Sequence, residues 1–480
     1  MFVGRKAELE RLQTLWTKSV ASLVTIRGRR RIGKSTLVLE FAKRSRAKFV
    51  KLEGLQPVDG VNNESQLAAF DKQLFRQTKV KCLKSSCWFD AFNSLNESLP
   101  KKGKTVVLLD EISWMGKFDP GFAGELKQAW DNWFSKRDDL IVFLCGSVSS
   151  WIDKKIVKSK AFLGRPSMNL VLQELPLNEC LEFWGRAAGR ISTREIIDVL
   201  SVTGGVPEYL ENINPSLTAD ENIKALCFRP GALLVSEFED IFNDTLDANL
   251  GLKRKMLYAL AENKLTASEL AEELRMENNG HISDNLNELE LAGFIMRDDG
   301  INPASDKKCN QVKYRIRDNY TRFYLKYIEP KKNLIEKDSF EFLSLEQLPA
   351  WDTILGLQFE NLVMSNLSSL MREIGLNHAL ITSAAPYIQN KTKRQQGCQI
   401  DLLIQTAKSV YIAEIKRRNI IDESVIDEVE EKIKRLKLKK GKSVRPVLIY
   451  EGNLSKRVPA DAFFSYIVSA DHLLGRRATN

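Results

Sequence analysis

Gly28-Arg29-Arg30-Arg31-Ile32-Gly33-Lys34-Ser35 decides how the first part of this chain is read. The spacing is G-x-x-x-x-G-K-S, the pattern of a loop whose backbone N–H groups close around phosphate oxygens. In such a loop Lys34 reaches the β- and γ-phosphates and the Ser35 hydroxyl serves a Mg²⁺ ion, with Thr36 next in line. A short apolar run at 23–26 precedes the loop, and a stretch of helical length at 35–42 follows it. Strand, loop and helix in that order set the positive end of the helix against the anion. Arg29, Arg30 and Arg31 add positive potential near a triphosphate; a solvated or partner-facing surface is the alternative.

Working outward, apolar runs recur at 49–52, 105–109, 140–144 and 170–172, with helix-length stretches between them. That alternation predicts an α/β fold in which helices cover a parallel sheet. The run at 105–109 continues into Asp110-Glu111. Asp110 is expected to hold Mg²⁺ and Glu111 to polarise the attacking water of phosphoryl transfer. Another run ends at Cys145-Gly146-Ser147, where Ser147 either senses the γ-phosphate or caps the next helix. Phe162-Leu163-Gly164-Arg165-Pro166 places Arg165 in a turn. It is a candidate arginine finger, supplied in trans within a homo-oligomer, with a plain surface charge as the alternative. The expected cofactors are ATP and Mg²⁺, with Lys34, Glu111 and Arg165 as the catalytic groups.

Six segments together resemble the archaeal-type P-loop ATPases of the STAND/AAA-like group. They are Phe2-Val3-Gly4-Arg5, the phosphate loop, Leu108-Leu109-Asp110-Glu111, Cys145-Gly146-Ser147, Leu163-Gly164-Arg165-Pro166 and Gly204-Gly205-Val206-Pro207. The resemblance spans residues 1–240. It implies that Val3 and Gly4 lie by the adenine and that Pro207 belongs to a helical lid over the nucleotide.

Composition narrows the partners. Lys and Arg number 72 against 62 Asp and Glu, a net charge of +10 that favours acidic partners, nucleic acid first. Seven cysteines, with no C-x-x-C pair, and three scattered histidines argue against a disulfide framework, a zinc knuckle or a Ser-His-Asp triad. No apolar run is long enough to span a bilayer, and the N-terminus has no signal-peptide core. A cytoplasmic protein without a membrane partner is expected.

Residues 249–330 resemble a winged helix-turn-helix. Thr266 and Glu269 have capping-box spacing, a second helix at 282–292 ends before Gly293, and two strands at 294–297 and 312–316 make a wing. The second helix offers Asp284, Asn285, Asn287 and Glu288, which is not a basic recognition face. The wing carries Lys307, Lys308, Lys313 and Arg315. DNA contact or a protein–protein spacer are both open for this module.

Near the C-terminus, Gln399-Ile400-Asp401 and Glu414-Ile415-Lys416 lie in two apolar runs. A hairpin with Ala407-Lys408 at its tip sets Asp401 across from Glu414, and Lys416 two residues further along. Two carboxylates so close repel unless a cation sits between them, and oxygen ligands suit Mg²⁺. Glu360, in a helical stretch at 357–363, would add a third carboxylate. Lys416 would orient or deprotonate a water. This set resembles the PD-(D/E)xK signature of restriction-endonuclease-like nucleases, without the proline, over residues 345–455. The basic run Lys432, Lys434, Arg435, Lys437, Lys439, Lys440 and Lys442 is expected on one helix along a phosphate backbone, or simply solvated.

The expected fold is therefore α/β and multidomain. It comprises a P-loop NTPase core (1–175), a helical lid (176–248), a winged helix (249–330), a lysine-rich linker (330–345) and an α/β restriction-endonuclease-like domain (345–480). The expected function is ATP binding and hydrolysis coupled to DNA binding or cleavage by a metal-dependent nuclease. The alternative is a nucleotide-switched DNA-binding regulator or scaffold with a non-catalytic nuclease-like domain. A membrane-surface ATPase has only the basic balance in its favour.

Overall fold

The computed structural model describes residues 2–81, 83–146, 149–246, 249–277, 280–309, 312–341, 343–376, 381–393 and 395–476. The chain forms two compact units. One is Met1–Gln173 with Ile241–Ala248, and the other is Glu174–Asp240 with Asn249–Asn480. Among the described residues no helix is long and apolar enough to cross a membrane.

The first unit is built on β1 (Ser22–Arg27), β2 (Lys48–Glu53), β3 (Thr105–Asp110), β4 (Leu140–Cys145) and β5 (Pro166–Val171). Their order is β2-β3-β4-β1-β5, and every neighbouring pair is parallel. Thr105-Val106-Val107-Leu108-Leu109 and Leu140-Ile141-Val142-Phe143-Leu144 are buried throughout, as befits strands covered on both faces. One cover is aromatic: Trp88 meets Phe122 edge-on at 4.8 Å, and Phe70 meets Trp88 at 5.6 Å. Because β4 lies between β1 and β3, the loops that leave β1 and β3 flank the end of β4. In open parallel sheets, ligands sit at this carboxyl edge.

The second unit begins with helices, among them Thr193–Thr203 and Ala219–Cys227. The helix Leu250–Glu262 leads to β6 (Leu265–Thr266), helices Ala267–Glu273 and Gly280–Leu291, then β7 (Ile295–Asp298) and β8 (Lys313–Ile316). These strands form an antiparallel sheet in the order β6-β8-β7. Thr266 and Glu269 make a complete capping box. Next come the helix Trp351–Ser365, β9 (Ile381–Gln389), β10 (Cys398–Thr406), β11 (Ser409–Ile421), the helix Ser424–Arg435, β12 (Ser443–Leu454) and β13 (Tyr466–Ser469). The sheet order is β13-β12-β11-β10-β9. Strands β9 to β11 are antiparallel, and β11 to β13 are parallel.

Four expectations need correction. The 330–345 stretch is packed: Phe340 is buried and stacks on Phe228 at 4.9 Å, and Ile335 and Leu345 are buried too. The basic run does not share one helix, because the helix ends at Arg435 and Leu436 is extended. Lys439 and Lys442 then turn to Asp306. Arg315 is not a wing cation facing solvent, since its side chain is 4% exposed and bound to Asp298 at 3.0 Å. Asn285 is buried and donates to the His281 carbonyl.

Candidate functional site

The loop leaves β1 in a conformation that its glycines permit. Gly28 has φ 149°, and a Cβ there would stand 2.6 Å from the Leu172 carbonyl oxygen. No side chain fits, so the backbone turns tightly under β5. Gly33 and Arg31 also have positive φ, and the helix Lys34–Arg44 starts at once. Lys34 is buried, and its Nζ donates to the carbonyl oxygens of Gly28 and Arg29 at 3.0 and 2.9 Å. The ammonium thus lies inside the concavity of its own loop. Arg29 and Ile32 are buried, Arg30 and Arg31 half-buried, and Thr36 exposed.

At the neighbouring strand end, the Ser35 hydroxyl donates to Asp110 Oδ2 at 2.6 Å. Asp110 is buried. Lys51 Nζ reaches the same oxygen at 2.9 Å and also pairs with Glu53. Burial works against the Lys51 charge, but Asp110 and Glu53 outweigh it and raise its pKa. Glu111 follows with left-handed backbone, φ 48°, and its N–H bonds Asp110 Oδ1 at 3.2 Å. A Cβ on Gly146 would lie 3.8 Å from Glu111 Oε2, so Glu111 stands beside the end of β4. Ser147, the expected sensor, lies outside the described residues. The hard oxygens of Ser35 and Asp110, already adjacent, fit a Mg²⁺ ion.

Two contributors escaped the sequence reading. Arg5 Nη2 donates to the Ile32 carbonyl at 2.9 Å, and Arg5 also pairs with Glu8. This ties the Val3-Gly4 segment, with Val3 buried and Gly4 at φ 70°, to the phosphate loop. Its position in Phe2-Val3-Gly4-Arg5 was the available signal. Lys51 carried none, because its partner is set by the register of β2 on β3, where Glu53 faces Asp110. Arg165, expected as a finger for a neighbouring copy, is engaged at home. Its Nε and Nη2 hold Asp131 at 2.7 and 2.8 Å, and Nη1 donates to the Ala161 carbonyl. The Arg165 hydrogen bond lowers the Asp131 carboxyl to about 2. Pro207 lies in the second unit and opens the short helix Pro207–Leu210. Just before it, a Cβ on Gly205 would stand 2.3 Å from the Leu175 carbonyl oxygen, which explains the glycine.

In the second unit, β10 and β11 pair as Leu402↔Ala413, Leu403↔Ile412, Ile404↔Tyr411 and Gln405↔Val410. This is the register of a hairpin tipped at Ala407-Lys408. The ladder stops at Leu402, and Asp401 Oδ2 instead accepts the Ile415 N–H at 3.0 Å. Burial, then the Glu414 and Glu360 carboxylates, raise the Asp401 carboxyl to about 7, with Lys432 opposing. The structure therefore brings Glu414 and Glu360 each within electrostatic reach of Asp401. It also clamps both glutamates with lysines. Glu414, 1% exposed, accepts from Lys416 at 2.8 Å and from Lys432 at 2.6 Å. Lys416 bonds Glu428 at 2.6 Å as well, and Lys264 pairs with Glu360 at 3.3 Å. Among the described residues, no three acidic, cysteine or histidine side chains are arranged to hold a metal ion. Lys432 and Lys264 were not foreseen. Lys432 stood in the basic run, but nothing in sequence turns it inward.

Comparison with known proteins bears on the first of these sites. Residues 2–213 match an ATPase domain described as predominantly from Archaea. The chain is 24% identical over 437 residues to the uncharacterized protein MJECL04 of Methanocaldococcus jannaschii, covering 88% of this chain and 89% of that one. Among solved structures, the Walker-type ATPase PABY2304 of Pyrococcus abyssi aligns with a TM-score of 0.49 at 16% identity, over 68% of this chain and 96% of that one. The ORC2 protein of Aeropyrum pernix, in ADPNP–ADP complexes, aligns with a TM-score of 0.41 at 16% identity, over 70% of this chain and 94% of that one. Over residues 2–213, then, the chain is similar to ATPase domains found predominantly in Archaea.

Proposed function

We propose that the chain hydrolyses ATP and uses its nucleotide state to govern metal-dependent cleavage of DNA at the hairpin of β10 and β11. Lys34 turns from its own loop carbonyls to the phosphates, and backbone N–H groups of the Gly28–Ser35 segment hold the β-phosphate. Glu111 accepts a proton from the attacking water. Ser35 and Asp110 would hold Mg²⁺, which would neutralise charge on the phosphates. Residues 250–316 have the element order of a winged helix, and we read them as a DNA-facing module whose phosphate contacts fall to Lys307 and Lys308.

The observation that carries the nuclease reading is the placement of Asp401 beside Glu414, with Lys416 on the same carboxylate. In it Asp401, Glu414 and Glu360 are the metal-ligand candidates and Lys416 positions water. The same lysines favour a second reading, since a Glu414 neutralised by two ammoniums suits a domain that binds DNA without cutting it. Cleavage of single-stranded, duplex and branched DNA in Mg²⁺ or Mn²⁺ separates the two. The nuclease reading expects cleavage that Asp401→Ala abolishes. Binding with no cleavage under any of these conditions favours the scaffold.

A further inference from the structure

β2 lies at one end of the sheet of the first unit, so its outer row of backbone N–H and C=O groups faces no neighbouring strand. The helix Asn63–Thr78 supplies the partners from its glutamines. Gln73 accepts the Glu53 N–H at 2.9 Å and donates to the Glu53 carbonyl at 2.8 Å. Gln77 makes the same two bonds at Lys51. Four helical residues rise about 6 Å and two strand residues about 6.6 Å, so amides at this spacing keep step with alternate residues of the strand.

Gln66 lies seven residues before Gln73 on the same helix face and meets something else. There the chain has left β2 through Gly54. Gln66 is 2% exposed. It accepts the Leu55 N–H at 2.9 Å and donates to the Leu55 carbonyl at 2.8 Å. It also donates to the Trp114 carbonyl at 3.1 Å. Trp114 belongs to the short helix Ile112–Met115 that follows Asp110-Glu111, and its own N–H donates to the Glu111 carbonyl at 2.9 Å. The Gly54 N–H donates to the Asp110 carbonyl at 3.0 Å. A Cβ on Gly54 would stand 2.7 Å from the Glu111 carbonyl oxygen, so the two backbones touch. These bonds close a ring that runs from Asp110 through Gly54-Leu55, Gln66 and Trp114 back to Glu111. Within it Glu111 keeps left-handed backbone, φ 48° and ψ 49°. A residue with a side chain persists there only where its surroundings fix it.

We propose that Gln66 is a positioning residue for ATP hydrolysis, holding the Trp114 carbonyl and, through that turn, the backbone that aims the Glu111 carboxylate. This rests on reading Glu111 as the general base. Cutting the ring at Gln66 frees Glu111 to relax from its left-handed conformation, and the base moves off the attacking water. Nucleotide affinity rests on the phosphate loop and is left alone.

The test compares the full chain with Gln66→Leu, Gln73→Leu, Glu111→Gln and the double variant Gln66→Leu/Glu111→Gln. Phosphate release at saturating ATP gives kcat, titration with a non-hydrolysable ATP analogue gives affinity, and thermal unfolding gives Tm. A reacting group misplaced by about 1 Å can lose about 10²-fold in rate, so Gln66→Leu should lower kcat at least about tenfold, with affinity within about twofold. Gln73→Leu strips the strand of an equivalent pair of bonds at Glu53 and should keep kcat within about twofold, whatever its Tm. Added to Glu111→Gln, Gln66→Leu should lower the residual rate no further, because the two act as a unit. Where Gln66→Leu does not fold, Gln66→Glu at pH 8 takes its place: its carboxylate still accepts the Leu55 N–H and cannot donate to the two carbonyls. An unchanged kcat in the Gln66 variant overturns the proposal. So does an equal loss in Gln73→Leu, or a loss that persists in full beside Glu111→Gln. Hydrolysis by Glu111→Gln at the wild-type rate removes the base reading and the inference with it, whereas an inactive Glu111→Gln beside a fully active Gln66→Leu removes the positioning role alone.

Discussion

Arg417, the residue after Lys416 on β11, ion-pairs with Asp198 on the helix Thr193–Thr203. That helix runs directly into Gly204-Gly205-Val206-Pro207. A second pair, Arg194 with Glu451 at 2.8 Å, joins the same helix to β12. Thr193 and Asp471 bond as well. The strand that carries Glu414 and Lys416 is thus fastened to the helix expected to form the lid, and both belong to the second unit. By sequence, lid and C-terminal domain are separate segments; under the proposed function, they move together.

Loss of the Arg417 charge should be costly. Its side chain is 2% exposed, and burial already raises the carboxyls of Asp198 and Glu451 against the opposing arginines. Arg417→Met leaves both acids without that cation, at about 3 kcal/mol of stability. Thermal unfolding checks this, and adding Asp198→Leu should recover part of the loss. A change below about 0.5 kcal/mol, the size of a solvated pair, contradicts a buried fastening.

Asp401 should make stability depend on pH. Its carboxyl is raised from 3.8 to about 7, so the folded chain holds the proton more tightly than the unfolded one. The resulting stabilisation is complete below pH 3.8 and is lost as pH rises through about 7. Relative to Asp401→Asn, the wild type should lose on the order of 3 kcal/mol between about pH 4 and 8. Denaturant unfolding at the two pH values measures it, and parallel behaviour of the two proteins contradicts it. Mg²⁺ at pH 8 should restore part of the loss in the wild type only.

Lys51 should compete with Mg²⁺, because its ammonium rests 2.9 Å from Asp110 Oδ2. A half-exposed pair of this kind is worth up to about 1 kcal/mol. Lys51→Met should therefore lower the Mg²⁺ concentration that half-saturates ATP hydrolysis about threefold to fivefold. An increase would mean that Lys51 instead orders Asp110 for the ion.

Glu111→Gln keeps the size of the side chain and removes the base. ATP binding should stay within about threefold, while hydrolysis falls by about 10²-fold or more, the usual worth of a general base. Isothermal titration and phosphate release separate the two effects. Hydrolysis at the wild-type rate removes Glu111 from the mechanism.

What the sequence disclosed followed the range of the interactions. The five strands of the first unit and the hairpin register were legible, because local apolar runs and a two-residue tip determine them. Strand β9 was not, since Ser383-Ala384-Ala385-Pro386 has weak strand character and is tolerated at a sheet edge. The inward turn of Lys432, the burial of Arg315 against Asp298 and Asn361, and the packing of Phe340 depend on distant partners. No local pattern encodes them. The basic run misled for a related reason: charge spacing suggested one helix, while the chain extends at Leu436 and sends Lys439 and Lys442 to Asp306.

The coupling of the two sites is tested most directly by the rate of DNA cleavage in Mg²⁺ with and without ATP, for the wild type, Lys34→Ala and Asp401→Ala. The expected result is a wild-type rate that changes at least severalfold with ATP, a Lys34→Ala rate that ignores ATP, and no cleavage by Asp401→Ala. Cleavage by Asp401→Ala at the wild-type rate, or a wild-type rate indifferent to ATP, contradicts the account.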